Sequence, residues 1–243
     1  MPADSRATGT ALCLAFSWLL VAQLFAAPLA TRFGLVSYKL GLPVTALAFL
    51  GGVLMLLVAA VLGFRRDFRP YRRRLALVAA LAAIPALAGV TLILSSRGLP
   101  LIHDVSTNVA DPPRFESAPS LRGEDANPLD RGQEVDEAQQ QAYPDIGSIQ
   151  SQLSPAEAFE RCTDTAKQLG WEVFASDEQT GRIEASDTTF WFGFTDDVVI
   201  RIRGTKGGSV IDLRSVSRVG RGDLGANAKR IRAFAAAFRG EGV

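Results

Sequence analysis

The stretch Leu40–Phe64, LGLPVTALAFLGGVLMLLVAAVLGF, is 25 residues long and contains no charged side chain. About 20 apolar residues, each rising 1.5 Å along a helix, match the roughly 30 Å hydrocarbon core of a bilayer. Two more uncharged stretches, Ala7–Thr31 and Leu75–Ser96, flank it. The sequence therefore predicts an α-helical membrane anchor over residues 1–97, with three spans at about residues 8–30, 42–64 and 75–95.

Charge divides the chain at the same place. Residues 1–96 carry nine Lys/Arg and two Asp/Glu, whereas residues 97–243 carry seventeen and twenty-three. Six arginines lie between Arg65 and Arg74, and a short loop this basic stays on the cytoplasmic side. We expect a multi-pass protein of the bacterial inner membrane with a cytoplasmic N-terminus and a periplasmic C-terminal domain.

Two alternatives concern the same segments. The arginine loop could bind nucleic acid, but two apolar spans flank it closely and no second basic surface accompanies it. The first span could be a cleaved signal peptide, but its uncharged run is longer than the usual apolar region of 7–15 residues. The lipid bilayer is therefore the expected partner, and nucleic acid is not.

The C-terminal half begins with an acidic, proline-rich arm over residues 98–148. It holds six prolines, and between Asp104 and Asp145 ten acids face three arginines. Such a composition buries little apolar surface, so we expect an extended arm. A small α+β domain follows over residues 149–243, with an antiparallel sheet of four to five strands and two flanking helices.

Capping residues and apolar spacing predict the two helices. Ser154-Pro155-Ala156-Glu157 has the pattern of a capping box with proline at the first helical position, and Gly170 ends that helix. The last helix is predicted over Ala226–Phe238, where apolar residues recur at helical spacing.

Alternating side chains predict the strands. Val198–Arg203 and Val210–Ser217 flank a glycine-rich loop and form a hairpin, and one register of this hairpin places Arg201 opposite Asp212. Thr189–Phe194 alternates phenylalanines with Trp191, which predicts another strand.

Residues for catalysis do not form a recognisable set in the sequence. His103 is the only histidine, and no G-x-S-x-G motif accompanies it. Asp196 and Asp197 are neighbours on a predicted strand and therefore point to opposite faces. Cys13 and Cys162 have no disulfide or zinc spacing. We expect no metal and no cofactor, and the pattern favours a non-enzymatic protein.

The closing segment Ser215–Asn227 is the densest polar feature. A strand ends there, Gly220, Gly222 and Gly225 follow, and a helix begins; turns of this kind can bind anions through backbone N–H groups. In the alternative, the segment is a tight structural turn in which Asp223 caps the last helix. We hypothesise a surface for a partner or small ligand made of Arg218, Asp223, Asn227, Arg230, His103 and Asp104.

Four segments follow the pattern of a known family: Ile102–Thr107 with Asp111-Pro112-Pro113, Ala142–Ile146, Asp196–Arg203, and Ser215–Asn227 with Arg230. Together they resemble the domain-of-unknown-function family 1499, in the branch with an N-terminal multispan membrane anchor. The resemblance spans about Leu101–Phe238. This sequence lacks the paired cysteines that another branch of the family carries near the start of the domain. The resemblance therefore implies no cysteine-based chemistry for this chain. It implies an integral membrane protein with an extracytoplasmic domain and no established reaction. It also implies that Ile102–Phe115 and Ala142–Ile149 pack against the domain, which leaves a loose loop at residues 117–141.

The leading hypothesis is therefore a membrane protein whose periplasmic domain binds a small ligand or a membrane or periplasmic protein. The runner-up is a hydrolase-like enzyme at the membrane surface that uses His103, Asp104 and the Arg218–Arg230 region. This alternative requires His103 within hydrogen-bond reach, about 3 Å, of Asp223 or Asp196. A transporter is disfavoured, because the spans hold no ionisable side chain other than Cys13.

The arginine loop generates a prediction about topology. Alkaline phosphatase fused after Val243 should be active, and green fluorescent protein fused at the same position should be dark. Both results are expected if the C-terminus is periplasmic, because the phosphatase is active and the fluorescent protein is dark in that compartment. The same reporters fused after Tyr71, within the arginine loop, serve as the control and should give the reverse pattern. Dark phosphatase and bright fluorescence at Val243 would contradict the topology.

Overall fold

The computed structural model describes residues 4–241, so the ends of the predicted anchor and domain at residues 1–3 and 242–243 lie outside it. The chain divides into two compact units. The first contains the residues up to Arg97 together with Phe190–Gly193, and the second contains Gly98–Thr189 and the residues from Phe194 onward.

Three long helices make up most of the first unit: α1 (Ser5–Arg32), α2 (Tyr38–Phe64) and α3 (Arg72–Ser96). Each is long and apolar enough to cross a membrane, as the sequence predicted. A short 3-10 helix, Arg66–Tyr71, carries the basic connector between α2 and α3.

Small residues let α2 and α3 approach each other. A Cβ atom at Gly52 would lie 2.8 Å from the carbonyl oxygen of Ala82, so only glycine fits there. Ala48 and Val78 are fully buried, whereas large side chains such as Leu57 point outward. This distribution, with small residues inside and large apolar ones outside, is typical of helices packed within lipid.

The second unit is built on one antiparallel sheet. Six strands pair in the order β1-β6-β5-β4-β3, and β2 pairs beside β1 along the same edge of β6. Within residues 4–241, four helices accompany the six strands of this unit. The elements are β1 (Asp104–Ser106), α4 (Ala118–Leu121), α5 (Gln133–Ala142), β2 (Ile149–Ser151), α6 (Pro155–Gln168), β3 (Glu172–Asp177), β4 (Arg182–Thr188), β5 (Thr195–Thr205), β6 (Gly208–Ser217) and α7 (Ala226–Arg239), of which four are helices.

One face of this sheet is apolar and carries the hydrophobic core. Val198, Ile200 and Ile202 of β5 lie beside Ile211 and Leu213 of β6, and all five are buried. Helices α6 and α7 cover this face and contribute side chains such as Cys162 and Phe234. The α+β architecture expected from the sequence is therefore confirmed.

The other face of the sheet is polar, and the segment between β1 and α5 covers it. Glu184, Asp197 and Asp212 all point to this side and are fully buried, with Arg214 among them. The backbone of Glu116–Ala118 bonds directly to the Glu184 carboxylate. Two layers therefore enclose the sheet, helices on the apolar side and the arm on the charged side.

This covering arm differs from the extended arm that composition predicted for residues 98–148. It contains β1, α4, α5 and the approach to β2, and Gln139 in the middle of α5 is buried. The Gln139 amide donates to the Ser106 carbonyl and accepts from the Ser106 N–H at 2.9 Å. The loose loop expected at 117–141 is thus partly helical, because its polar side chains bond to the sheet.

Three local predictions had different outcomes. The β5–β6 register places Arg201 opposite Asp212, as predicted, and the capping box of Ser154 and Glu157 is present at the start of α6. The strand predicted at Thr189–Phe194 is wrong: this segment is the loop between β4 and β5, and Gly193 has a φ of +67°. Alternating aromatics do not make a strand where the backbone must reverse.

The core of the second unit generates a stability prediction. Residues Leu99–Val243, exported without the anchor, should be soluble and should unfold cooperatively on heating, because the apolar face of the sheet is covered by helices of the same unit. Circular dichroism during heating is the measurement. Aggregation that ceases only when the anchor is restored would show that the unit needs the membrane helices to fold.

Candidate functional site

Glu184 organises the arm over the middle of the polar face. Its carboxylate is fully buried and accepts hydrogen bonds from the backbone N–H groups of Glu116 (2.7 Å), Ser117 (3.0 Å) and Ala118 (2.8 Å). These N–H groups begin the short helix α4, where a carboxylate is favoured electrostatically. Glu184 therefore fixes where the arm crosses the sheet.

Asp197 binds two arginines at one end of this face. The Nη2 atom of Arg218 lies 2.7 Å from one carboxylate oxygen, and Arg122 from the arm donates to the other. Burial lowers the pKa of Arg122, although the charge and hydrogen bond of Asp197 oppose that shift. One carboxylate thus joins the closing turn, the arm and the sheet.

Asp212 makes an equivalent connection further along β6. Arg201 and Arg203 donate to it at 2.8 and 2.6 Å, and the Ser148 hydroxyl donates as well. Burial alone would raise the pKa of Asp212, but these hydrogen bonds and the two positive charges outweigh it, so the pKa is lowered. The carboxylate therefore stays ionised under the arm.

Asp104 holds two buried guanidinium groups at the edge of the sheet. Arg131 of the arm donates to one of its oxygens at 2.6 Å, and Arg214 of β6 donates to the other at 2.7 Å. Both arginine side chains are about 95% buried, with exposed fractions of 4% and 5%. The Phe115 ring lies 5.5 Å from the Arg214 guanidinium carbon and covers it from the arm side.

A cavity of about 540 Å³ opens where the arm passes over these two arginines. Its walls are Ala110, Asp111, Pro112, Arg114, Phe115, Leu129, Asp130, Arg131 and Arg214.

Three groups of this cavity have hydrogen-bonding capacity to spare. Within residues 4–241, the side chains of Arg114 and Asp130 make neither a hydrogen bond nor an ion pair. Arg214 uses four of its five N–H groups, on Asp104, Pro113 and Leu129. The cavity therefore presents an unpaired cation, an unpaired anion and a free guanidinium N–H.

The closing turn is built differently, because its polar side chains bond to one another. The Asp223 carboxylate accepts from the backbone N–H groups of Gly225 and Asn227, each at 2.8 Å. The fully buried Asn227 amide donates to the His103 carbonyl (3.1 Å) and the Ser217 hydroxyl (2.9 Å). These hydrogen bonds are the ones expected of a tight structural turn, which was the alternative to a binding surface in the sequence analysis.

Arg230 extends this network from α7 to the apolar face. It donates to the carboxylates of Asp196 at 2.7 Å and Asp187 at 2.8 Å, and to the side-chain amide oxygen of Asn227 at 2.7 Å. Burial raises the pKa of Asp196, although the charge of Arg230 opposes this shift. Arg230 also borders a smaller cavity of about 280 Å³, and there it is already paired with Asp187.

The six residues proposed from the sequence thus lie in three separate places. Asp223, Asn227, Arg230 and the His103 backbone gather at the start of α7, and Arg218 lies on the other side of the sheet against Asp197. Asp104 alone touches the walls of the large cavity, through Arg131 and Arg214.

The geometry that the enzyme alternative required is not found in the described chain. Between residues 4 and 241, no hydrogen bond links the His103 imidazole with Asp223 or Asp196. No group of three or more His, Cys, Asp or Glu side chains in that range could hold a metal ion. Burial raises the pKa of the Cys162 thiol to about 12, so this thiol is protonated at neutral pH.

Sequence reasoning missed Arg114, Asp130, Arg131 and Arg214, which define the cavity. A usable signal was present: the acidic arm contains only three arginines, Arg114, Arg122 and Arg131. Two of them pair with buried carboxylates of the sheet, and the third, Arg114, lies at the cavity and has no partner in the part of the chain that the structure describes. Rare basic residues in an acidic segment were thus more informative than the glycine-rich turn.

The turn's network generates a prediction about stability. Asn227→Ala should lower the free energy of unfolding by about 3–5 kcal/mol, because it leaves several buried polar groups without partners. Arg218→Ala should cost about 1–2 kcal/mol, because its side chain is 23% exposed and Arg122 still pairs with Asp197. The measurement is urea unfolding of the full chain in detergent, followed by the emission of the buried Trp171 in a Trp18→Phe/Trp191→Phe background.

Arg221→Ala is the matched control for that series. Arg221 is exposed and, within residues 4–241, makes no hydrogen bond or ion pair, so its loss should change the unfolding free energy by less than about 0.5 kcal/mol. An Asn227→Ala variant as stable as Arg221→Ala would contradict the structural role of the turn.

The comparisons with known proteins agree with the division of the chain into an apolar helical unit and a second unit built on the sheet. No curated protein matches this chain. The family model described as "Protein of unknown function (DUF1499)" matches residues 104–238, which is more than half of the chain. The match begins at Asp104 in β1 and ends at Phe238 in α7, so it takes in the arm, the sheet and both covering helices. With three apolar helices preceding this domain, the chain belongs to the DUF1499 family and fits its branch with an N-terminal membrane anchor.

Proposed function

We propose that this protein is a non-enzymatic inner-membrane protein whose periplasmic domain binds a small zwitterionic ligand in the cavity beside Arg114. The three apolar helices support membrane attachment, and the six arginines of Arg65–Arg74 support a cytoplasmic loop between the second and third helices. The domain that follows α3 is then on the periplasmic side.

The unpaired charges at the cavity are the observation that carries the proposal. Arg114 and Asp130 both line it, and neither has a partner within residues 4–241. Every other charge discussed on this face is held by an opposite charge or by backbone N–H groups. Two unpaired charges of opposite sign at one cavity suit a ligand that carries both.

The chemistry of the lining narrows the ligand further. A guanidinium group binds carboxylate or phosphate through two parallel hydrogen bonds, and Arg214 offers one more N–H at the cavity wall. Asp130 can accept from an ammonium group, while Phe115 and Leu129 supply apolar contact. A volume of about 540 Å³ falls within the range usual for small-molecule sites.

Binding at the closing turn remains a separate prediction. A ligand there would have to compete with the hydrogen bonds that Asn227 and Arg230 already make inside the fold. The cavity requires no such exchange, and this difference favours it over the turn.

Titration calorimetry on the full chain in detergent tests the proposal. Phosphoethanolamine and β-alanine carry an ammonium group with a phosphate or a carboxylate, whereas inorganic phosphate and ethanolamine each carry one of the charges. We expect a zwitterion to bind more tightly than either single-charge probe. The tighter of the two zwitterions identifies the anionic group.

Two variants and a control locate the binding. Arg114→Ala should weaken binding of the zwitterion about tenfold or more, because a charge-assisted pair is lost. Asp130→Asn should remove the preference for the zwitterion over phosphate, and Arg221→Ala should leave both affinities unchanged. Absence of binding by all four probes, or equal binding by Arg114→Ala and Arg221→Ala, would overturn the proposal.

A further inference from the structure

The loop between β4 and β5 presents large aromatic side chains at its tip. Phe190 and Trp191 are 67% and 48% exposed, and their rings form a T-shaped pair with centroids 5.3 Å apart. The loop is closed at its base, where the Thr189 N–H donates to the Phe194 carbonyl at 2.8 Å and the Phe194 N–H to the Thr189 hydroxyl at 2.9 Å. The rings therefore project from a short, hydrogen-bonded turn.

Such a tip is costly to leave in water. Phe and Trp each bury 150–250 Å² when covered, and an exposed aromatic pair on a loop marks a contact with another apolar phase. Trp is enriched where membrane proteins cross the headgroup region, because its ring is apolar and its indole N–H remains able to donate. Trp191 next to Phe190 has this chemistry.

The tip belongs to the same compact unit as the three apolar helices, and this grouping indicates that the apolar phase is lipid. Phe190–Gly193 group with the three apolar helices. Within that unit, Arg32 at the end of α1 donates to the Phe190 carbonyl at 2.7 Å, and the Trp191 ring lies 5.7 Å from that of Phe25. Phe25 lies seven residues before Arg32, about 10 Å along the helix axis. Trp191 is therefore level with the apolar part of α1 near its end.

The short linker between α3 and β1 also supports a contact with the bilayer. Only seven residues separate the end of α3 at Ser96 from the start of β1 at Asp104, and even a fully extended chain of that length spans about 25 Å at most. A short covalent link therefore joins the chain segment that carries this loop to a helix long enough to cross the bilayer.

We propose that the loop Thr189–Phe194 inserts Phe190 and Trp191 into the interfacial layer of the bilayer that surrounds the three helices. The occupant of this aromatic surface is lipid, at the boundary between headgroups and acyl chains. The loop then gives the domain a second attachment to the membrane besides its covalent link through α3. This attachment is independent of any ligand in the cavity beside Arg114.

Fluorescence quenching in reconstituted vesicles tests the insertion. The chain has three tryptophans, Trp18 in α1, the buried Trp171 and Trp191. The difference in emission between Trp18→Phe and Trp18→Phe/Trp191→Phe isolates Trp191 without altering the core. Vesicles containing lipids brominated at shallow or deep acyl positions should quench this difference emission, the shallow bromines more strongly, and its maximum should be shifted to the blue.

The controls make every outcome decisive. The emission of Trp171, which remains in both variants, should be insensitive to bromolipid and shows that the domain is folded. Quenching of Trp191 by aqueous acrylamide but not by bromolipid would place the loop in water. Protection from both quenchers would place it against protein, including a second copy of this chain. Either result would overturn the proposal, as would stronger quenching by deep than by shallow bromines.

Discussion

Buried carboxylates on the polar face of the sheet are the constraint on which the second unit depends. Glu184, Asp197 and Asp212 are fully buried, and Asp104 is almost so. An ionised carboxylate removed from water is costly unless hydrogen bonds and opposite charges replace the solvent. The arm supplies most of these replacements, through backbone N–H groups for Glu184 and through Arg122 and Arg131. Its order therefore results from the charges of the sheet.

The same constraint explains why a cavity forms where it does. The arm must contact Glu184 near Ala118 and must also bring Arg131 to Asp104. Between these attachments it passes over Arg214 without filling the space above it. The charges that fix the arm are used in the attachments themselves, so Arg114 and Asp130 at the opening have no partner among residues 4–241.

Local sequence patterns predicted the parts of the fold whose stabilising contacts are local. The capping box at Ser154 and the pairing of Arg201 with Asp212 depend on residues three to eleven positions apart, and both are present. The arm depends on contacts such as Glu116 with Glu184 and Asp104 with Arg214, which are 68 and 110 positions apart. No periodicity within the arm encodes such contacts, so composition alone predicted an extended chain.

The candidate site could be predicted only in part for the same reason. Asp104 was recognised as a candidate, but its role depends on Arg131 and Arg214, which come from separate parts of the chain. The aromatic loop illustrates the opposite error. Alternating phenylalanines around Trp191 imitate a strand locally, whereas the neighbouring strands β4 and β5 require a reversal there. Where pairing of long strands conflicts with a short alternating pattern, the pairing determines the backbone.

Asp196 and Asp197 show how the two layers around the sheet are joined. As neighbours on β5 they point to opposite faces, so Asp196 binds Arg230 of α7 while Asp197 binds Arg122 of the arm and Arg218 of the closing turn. The backbone between them cannot shift toward one layer without lengthening an ion pair in the other. We therefore expect the helix layer and the arm to unfold together. The family match, which runs from Asp104 to Phe238, includes both. A pattern shared across that whole span is expected when neither layer satisfies its buried charges alone.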